Sequence, residues 1–170
     1  QVLLEKGREK AVQFSAADRR KITVSYNPKF YGESILIPQQ PDLVITLEDP
    51  KWQRLHLILD AKYRVEASDK YLERYLSPGP PEDAVNIMHR YRDAILEYET
   101  ASLGDEQPKR TVIHAAAVFP FREQQTDDFR NSLLWKSLDK IGVGALPALP
   151  GSMEYLREWL NSFLRRGGWA

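Results

Sequence analysis

The chain has 170 residues, 42% of them hydrophobic and 28% charged, which suits one globular domain with its own core and leaves too little for a second full domain. Twenty-four Lys and Arg balance twenty-four Asp and Glu, so any attraction to nucleic acid or membrane must come from local patches rather than net charge. The lack of cysteine removes disulfides, thiolate zinc sites and cysteine nucleophiles and suits a reducing, cytoplasmic setting; no apolar run reaches the ~20 residues of a membrane helix, and no signal-peptide pattern opens the chain.

The first residue is glutamine, which gives the expectation that residues 1–170 are a single domain cut from a longer polypeptide. "AVQF" (11–14) and "KITVSY" (21–26) are β-rich runs separated by polar "SAADRR" and read as a hairpin. "NPKFYGES" (27–34) is a loop by its Asn-Pro and Gly, and "ILIPQQ" is expected to enter a second β region. The most strand-like stretches are "DLVITL" (42–47) and "RLHLILDAKY" (54–63), joined by "EDPKWQ" as a second hairpin.

"SPGPPED" (77–83) breaks the chain and ends in Pro81, Glu82 and Asp83, residues suited to a first helical turn. A helix is predicted over residues 82–99, its apolar face formed by Ala84, Ile87, Met88, Tyr91, Ala94, Ile95 and Tyr98. "TVIHAAAVF" (111–119) reads as a buried strand closed by Pro120. "FRNSLLWKSLDKI" suits a helix and "IGVGALP" a strand or extended segment, with the boundary open. A final amphipathic helix follows, with Ser152 as N-cap and Met153, Leu156, Leu160 and Phe163 on one face. Strands, hairpin, helix, strand and helix in this order predict an α/β fold, a mixed sheet flanked by helices.

Strand alternation puts Ile58, Asp60 and Lys62 on one face and Leu57, Leu59 and Ala61 on the other. If residues 42–63 form an antiparallel hairpin turning near position 51, Asp42 stands opposite Asp60, with Cβ atoms roughly 4.5–5.5 Å apart. Two opposed carboxylates at the end of a buried strand pair repel, and a divalent cation converts that repulsion into coordination. Mg²⁺ suits such a site because it takes oxygen ligands and commonly uses one or two carboxylates alongside substrate phosphates. A lysine on the same face can position water or balance charge at phosphorus. The competing structural reading is an exposed Asp60–Lys62 pair, worth only ~0–1 kcal/mol, with Asp42 capping a turn.

"PDLVITL" followed by "DAK" resembles the PD-(D/E)XK nuclease motif: Pro41 and Asp42 match PD, and Asp60, Ala61 and Lys62 match (D/E)XK. "YNPKF", "ILDAKYR", "MHRYRDAI" and "GVGALPALPG" extend the similarity, over roughly residues 20–152, to a branch found as the nuclease part of McrC-like or restriction-associated bacterial proteins. The resemblance implies a restriction-endonuclease-like core and metal-dependent hydrolysis of DNA phosphodiesters, with Mg²⁺ as cofactor and Mn²⁺ as substitute. It further implies that Asp42 and Asp60 ligate metal by carboxylates, that Ala61 does so by its carbonyl, and that Lys62 serves the water. The family often adds a glutamate from a preceding helix, and Glu5 and Glu9 lie in a stretch read as loop and strand.

The helix carrying "MHRYRDAI" follows the motif strand, where such nucleases place substrate-reaching side chains; His89 and Arg92 are the candidates there, and Trp52 in the hairpin loop is the candidate for stacking on a base. A solvent-facing role competes for His89. Tyr91 falls on the apolar side, His114 reads as a core histidine, and His56 faces the same side as Asp60 but lies roughly 13 Å along the strand, too far to share its metal. "DRRK" (18–21), "PKR" (108–110) and "LRR" (164–166) are the basic clusters available to hold phosphates. Two further readings stand beside a restriction or defence nuclease: a non-catalytic nucleic-acid-binding module, and a nuclease-like scaffold docking to a nucleotide-hydrolysing motor.

Overall fold

In the computed structural model the described residues are 10–32, 36–50, 54–97, 108–121, 128–166 and 168–169. The first hairpin forms as predicted: β1 (Lys10–Ser15) pairs antiparallel with β2 (Lys21–Tyr26), and the turn closes through the Ala16 N–H donating to the Arg20 carbonyl at 2.9 Å. Next, β3 (Leu43–Glu48) pairs antiparallel with β2 and with β4 (Leu55–Ala61). The helices α1 (Asp69–Tyr75) and α2 (Glu82–Ala94) follow, then short β5 (Leu96–Glu97) and β6 (Lys109–Arg110) and long β7 (Val112–Phe119). A 3-10 turn (Phe129–Asn131), α3 (Leu133–Ile141), β8 (Val143–Pro147) and α4 (Glu154–Arg166) complete the order.

Six strands form one mixed sheet in the order β1-β2-β3-β4-β7-β8, and β5 pairs with β6 separately. This is the expected α/β architecture, consistent with a restriction-endonuclease-like fold. β4 is internal to the sheet, and its run from His56 to Asp60 is buried on both faces, which is why an almost continuous aliphatic sequence occupies it. At the edge, β1 is exposed from Ala11 onward, where polar residues alternate with Val12 and Phe14. Among the described residues no helix is long and apolar enough to cross a membrane.

The chain divides into two compact units, Gln1–Asp60 with Asn86–Ala115, and Ala61–Val85 with Ala116–Ala170. In the first unit the core comes from β3 and β4 (Val44, Ile45, Leu47, Leu57, Ile58 and Leu59) and from α2 (Met88 and Tyr91). In the second, Leu134 and Leu138 of α3, β8, Phe119, Phe129, Tyr155 and Trp159 are buried. Ser132 caps α3, its hydroxyl accepting from the Trp135 N–H at 3.1 Å, and Gly142 ends that helix in the left-handed region at φ 71°. That cap fixes the helix-to-strand boundary the sequence left open.

Four expectations are corrected. "ILIPQQ" contributes no strand among its described residues: Leu36 and Ile37 are exposed, Pro38 lacks a donor, and Gln39 makes only an isolated bridge with Phe30. The helix predicted over 82–99 stops at Ala94, because Leu96 and Glu97 pair instead with Arg110 and Lys109. Ser152 is not the N-cap of α4: its backbone is engaged with Leu149, its hydroxyl donates to Glu154 at 3.1 Å, and the helix starts at Glu154. The face α4 buries centres on Tyr155 and Trp159, with Leu156, Leu160 and Phe163 partly buried and Met153 exposed. α1 forms in a stretch that carries no predicted element.

Gly144 in β8 is there for lack of a side chain: a Cβ would collide with the Leu134 carbonyl oxygen and meet Leu138 Cγ at 2.9 Å. Gly144→Ala is therefore expected to lower unfolding free energy by about 1–3 kcal/mol, and Ile58→Ala, from a fully buried position, by about 2–5 kcal/mol. Both are measured by denaturant unfolding.

Candidate metal centre

The β3–β4 register decides the site. Leu43 is opposite Leu59, Val44 opposite Ile58, Ile45 opposite Leu57 and Thr46 opposite His56. Extending the pairing by one position puts Asp42 opposite Asp60, as the turn position predicted. The Asp42 N–H donates to the Asp60 carboxylate at 3.2 Å, and the Asp42 carbonyl accepts from the Asn27 N–H at 2.7 Å, so the two aspartates close the strand pair through backbone as well as by facing each other.

Asp60 is only 3% exposed and Asp42 is partly buried. That excludes an exposed surface pair as the account of Asp60. Two carboxylates facing each other across a strand pair repel, and the Asp42 N–H offsets part of that repulsion at Asp60.

α2 reaches the segment that leads into Asp42. Arg90 Nε donates to the Gln39 side-chain oxygen at 3.2 Å, and the Tyr91 hydroxyl to the Gln40 carbonyl at 3.4 Å, which ties the helix to the segment leading into Asp42. Tyr91 is buried, and burial first, then the charges of Asp60 and Asp42, push its phenol up to about 12. It therefore stays protonated beside the carboxylates throughout the neutral range. Sequence reading assigned Tyr91 to the apolar stripe; the ring does occupy the core, while the hydroxyl reaches the polar end of the hairpin. Only the polar tip of a tyrosine on a helix otherwise buried there signals this in sequence.

The other candidates are placed as follows. His89 and Arg92 are partly buried on α2, Arg92 with its Nε 3.9 Å from the Asp93 carboxylate. Ala61 and Lys62 open the second unit, where the Lys62 N–H donates to the Val118 carbonyl at 2.7 Å. Trp52, Glu5 and Glu9 lie outside the described residues. His114 is partly buried in β7 rather than enclosed in the core. Each basic cluster commits an arginine to a carboxylate: Arg20 to Asp18 at 2.7 Å, Arg110 to Asp93 at 3.3 Å and Arg166 to Asp139 at 2.6 Å.

A model of the PD-(D/E)XK nuclease superfamily matches residues 1–124. The chain belongs to that superfamily. No curated protein and no solved structure gives a match. PD-(D/E)XK nucleases generally depend on a divalent metal, and the donor set here suits one: an oxygen-only pair of opposed carboxylates, one of them buried, of the kind Mg²⁺ supplements with water and substrate. Among the described residues no group of three or more His, Asp or Glu stands ready to hold an ion. The match includes α1, α2 and the strands through β7, whereas α3, β8 and α4 lie beyond it.

The Tyr91 shift has a sign that can be measured. A phenol whose folded value, about 12, lies above its ordinary 10.0 contributes stability that is complete below pH 10 and is lost as pH rises through 12. Tyr91→Phe is expected to lose less stability than the wild type between pH 10 and 12, measured by urea unfolding at each pH.

Proposed function

We propose that this chain is a Mg²⁺-dependent endonuclease domain that hydrolyses DNA phosphodiesters within a cytoplasmic restriction or defence system. The observation that carries this reading is the opposition of Asp42 and Asp60 at the end of a buried strand pair. Opposed carboxylates at the end of a strand pair are the oxygen-donor arrangement that a divalent cation coordinates.

On this reading Asp42 and Asp60 hold the cation through their carboxylates, and Ala61 adds its backbone carbonyl. A divalent cation bound there supplies Lewis acidity toward a phosphoryl oxygen and acidity to water. Lys62 falls on the same strand face as Asp60 by alternation; its ammonium orients the attacking water and offsets negative charge gathering at phosphorus. The Asp42 N–H holds Asp60 in one orientation, and Tyr91, kept neutral, fixes the Asp42 end without adding a third negative charge. His89 and Arg92 are the side chains of α2 proposed to meet the phosphate backbone.

DNA incubated with the protein and Mg²⁺ or Mn²⁺ is expected to be cut, and cutting should stop on chelation. Asp60→Asn and Lys62→Ala should each slow it by about 10²-fold or more. A second readout is independent of turnover: Mn²⁺ at 100 times its dissociation constant should stabilise the wild type by about 2.7 kcal/mol and leave Asp60→Asn nearly unchanged. Absence of both cleavage and metal-induced stabilisation defeats the proposal. Steeply salt-dependent DNA binding in that case would favour a non-catalytic binding module, whose affinity comes from phosphate contacts alone.

A further inference from the structure

The sheet face that carries Asp42 and Asp60 also carries a second polar site, lying wholly within the first unit. Down the β3–β4 hairpin the facing rows on this side are Asp42 and Asp60, then Val44 and Ile58, then Thr46 and His56, then Glu48 and Arg54. The fully buried aliphatic row separates the carboxylates from the polar rows beyond. Over those polar rows is a cleft of about 280 Å³, with Thr46 and His56 at its floor and Glu48, Arg54, Glu97 and Phe30 around it. That size lies at the small end of ligand pockets and suits one ring system.

His56 is 3% exposed and held from both sides: Nδ1 is 3.0 Å from the Thr46 hydroxyl, and Nε2 is 3.0 Å from a Glu97 carboxylate oxygen. Burial alone would raise the Glu97 carboxyl, but the hydrogen bond and charge of His56, together with Arg54, outweigh it and hold the group below its ordinary value. Glu97 is thus an acceptor at neutral pH, Nε2 carries the hydrogen between them, and Nδ1 shares a hydrogen with the Thr46 hydroxyl.

Thr23 and Ser25 add hydroxyls to the lining, and its charged groups are mostly acidic. Glu48 and Glu97 are carboxylates, while the one guanidinium, Arg54, is drawn to them at 2.8 Å and 3.7 Å. Two negative charges and one positive disfavour a phosphate and favour a neutral ligand that brings N–H donors. Phe30 meets His56 edge-on, ring centroids 5.6 Å apart, and supplies a flat apolar wall. The cleft lies four strand positions from the aspartates, roughly 13 Å, or about four stacked nucleotides at ~3.4 Å each.

We propose that this cleft receives a single nucleobase bearing an exocyclic amino group, and so gives the domain a base preference a few nucleotides from the carboxylate pair. The inference rests on the reading of the chain as a DNA nuclease, but the test separates the two. Labelled single strands of twelve thymidines, each with one cytosine, adenine or guanine moved through every position, are titrated against the protein in chelator and followed by fluorescence anisotropy. One position should bind about tenfold tighter than the all-thymidine strand, the discrimination of one good base-edge contact.

Glu48→Gln and Thr46→Val should erase that difference without changing affinity for the all-thymidine strand, and Thr46→Ser should restore it. Equal binding of all strands, or variants that weaken every strand alike, would overturn the base site. The same strands are then incubated with Mg²⁺. Cleavage with no positional preference in binding removes the subsite and keeps the nuclease, and preference without cleavage does the reverse.

Discussion

The pairing of β3 with β4 is the constraint on which the rest depends. Side chains alternate with period two, so a slip of one residue would send every inward group of one strand outward. Two opposite demands hold the register. Leu57 and Leu59 must be buried on one side, and Ile58 with Val44 on the other. A strand buried on both faces has no spare face to which an error could be moved, and the aspartates at its end inherit that rigidity.

Within this frame the polar groups are arranged in rows. The carboxylate row and the Thr46–His56 row are kept apart by Val44 and Ile58, so neither network can satisfy itself with the other's groups. His56 finds a partner in Glu97 instead, and that contact connects the sheet to the two-stranded β5–β6 segment. At the other row, Asp60 takes an amide donor from Asp42, and the buried Tyr91 hydroxyl is held neutral by burial and by those same charges. For Tyr91 and Glu97 the neighbouring groups set the protonation state.

Much of this was legible in the residues. The two hairpins, the position of Asp42 opposite Asp60, the buried β7 and the first turn of α2 follow from alternation, breakers and helix-start chemistry. Competition for backbone hydrogen bonds decided the rest. Leu96 and Glu97 continue a helical pattern in sequence but pair with a strand more than ten residues later, and Ser152 has the chemistry of an N-cap but has its backbone engaged by Leu149. Local propensity does not register a partner that is distant in the chain.

The sequence by itself determined the face on which Asp60 stands and its opposition to Asp42, because both follow from period two and one turn. Tertiary structure alone decided that Asp60 is buried, that the Tyr91 hydroxyl reaches the end of the hairpin, and that Glu97 ionises against His56, forty-one positions away. Those facts depend on which surfaces lose water and which distant groups meet when α2 and β5 settle on the sheet, and no local pattern encodes them.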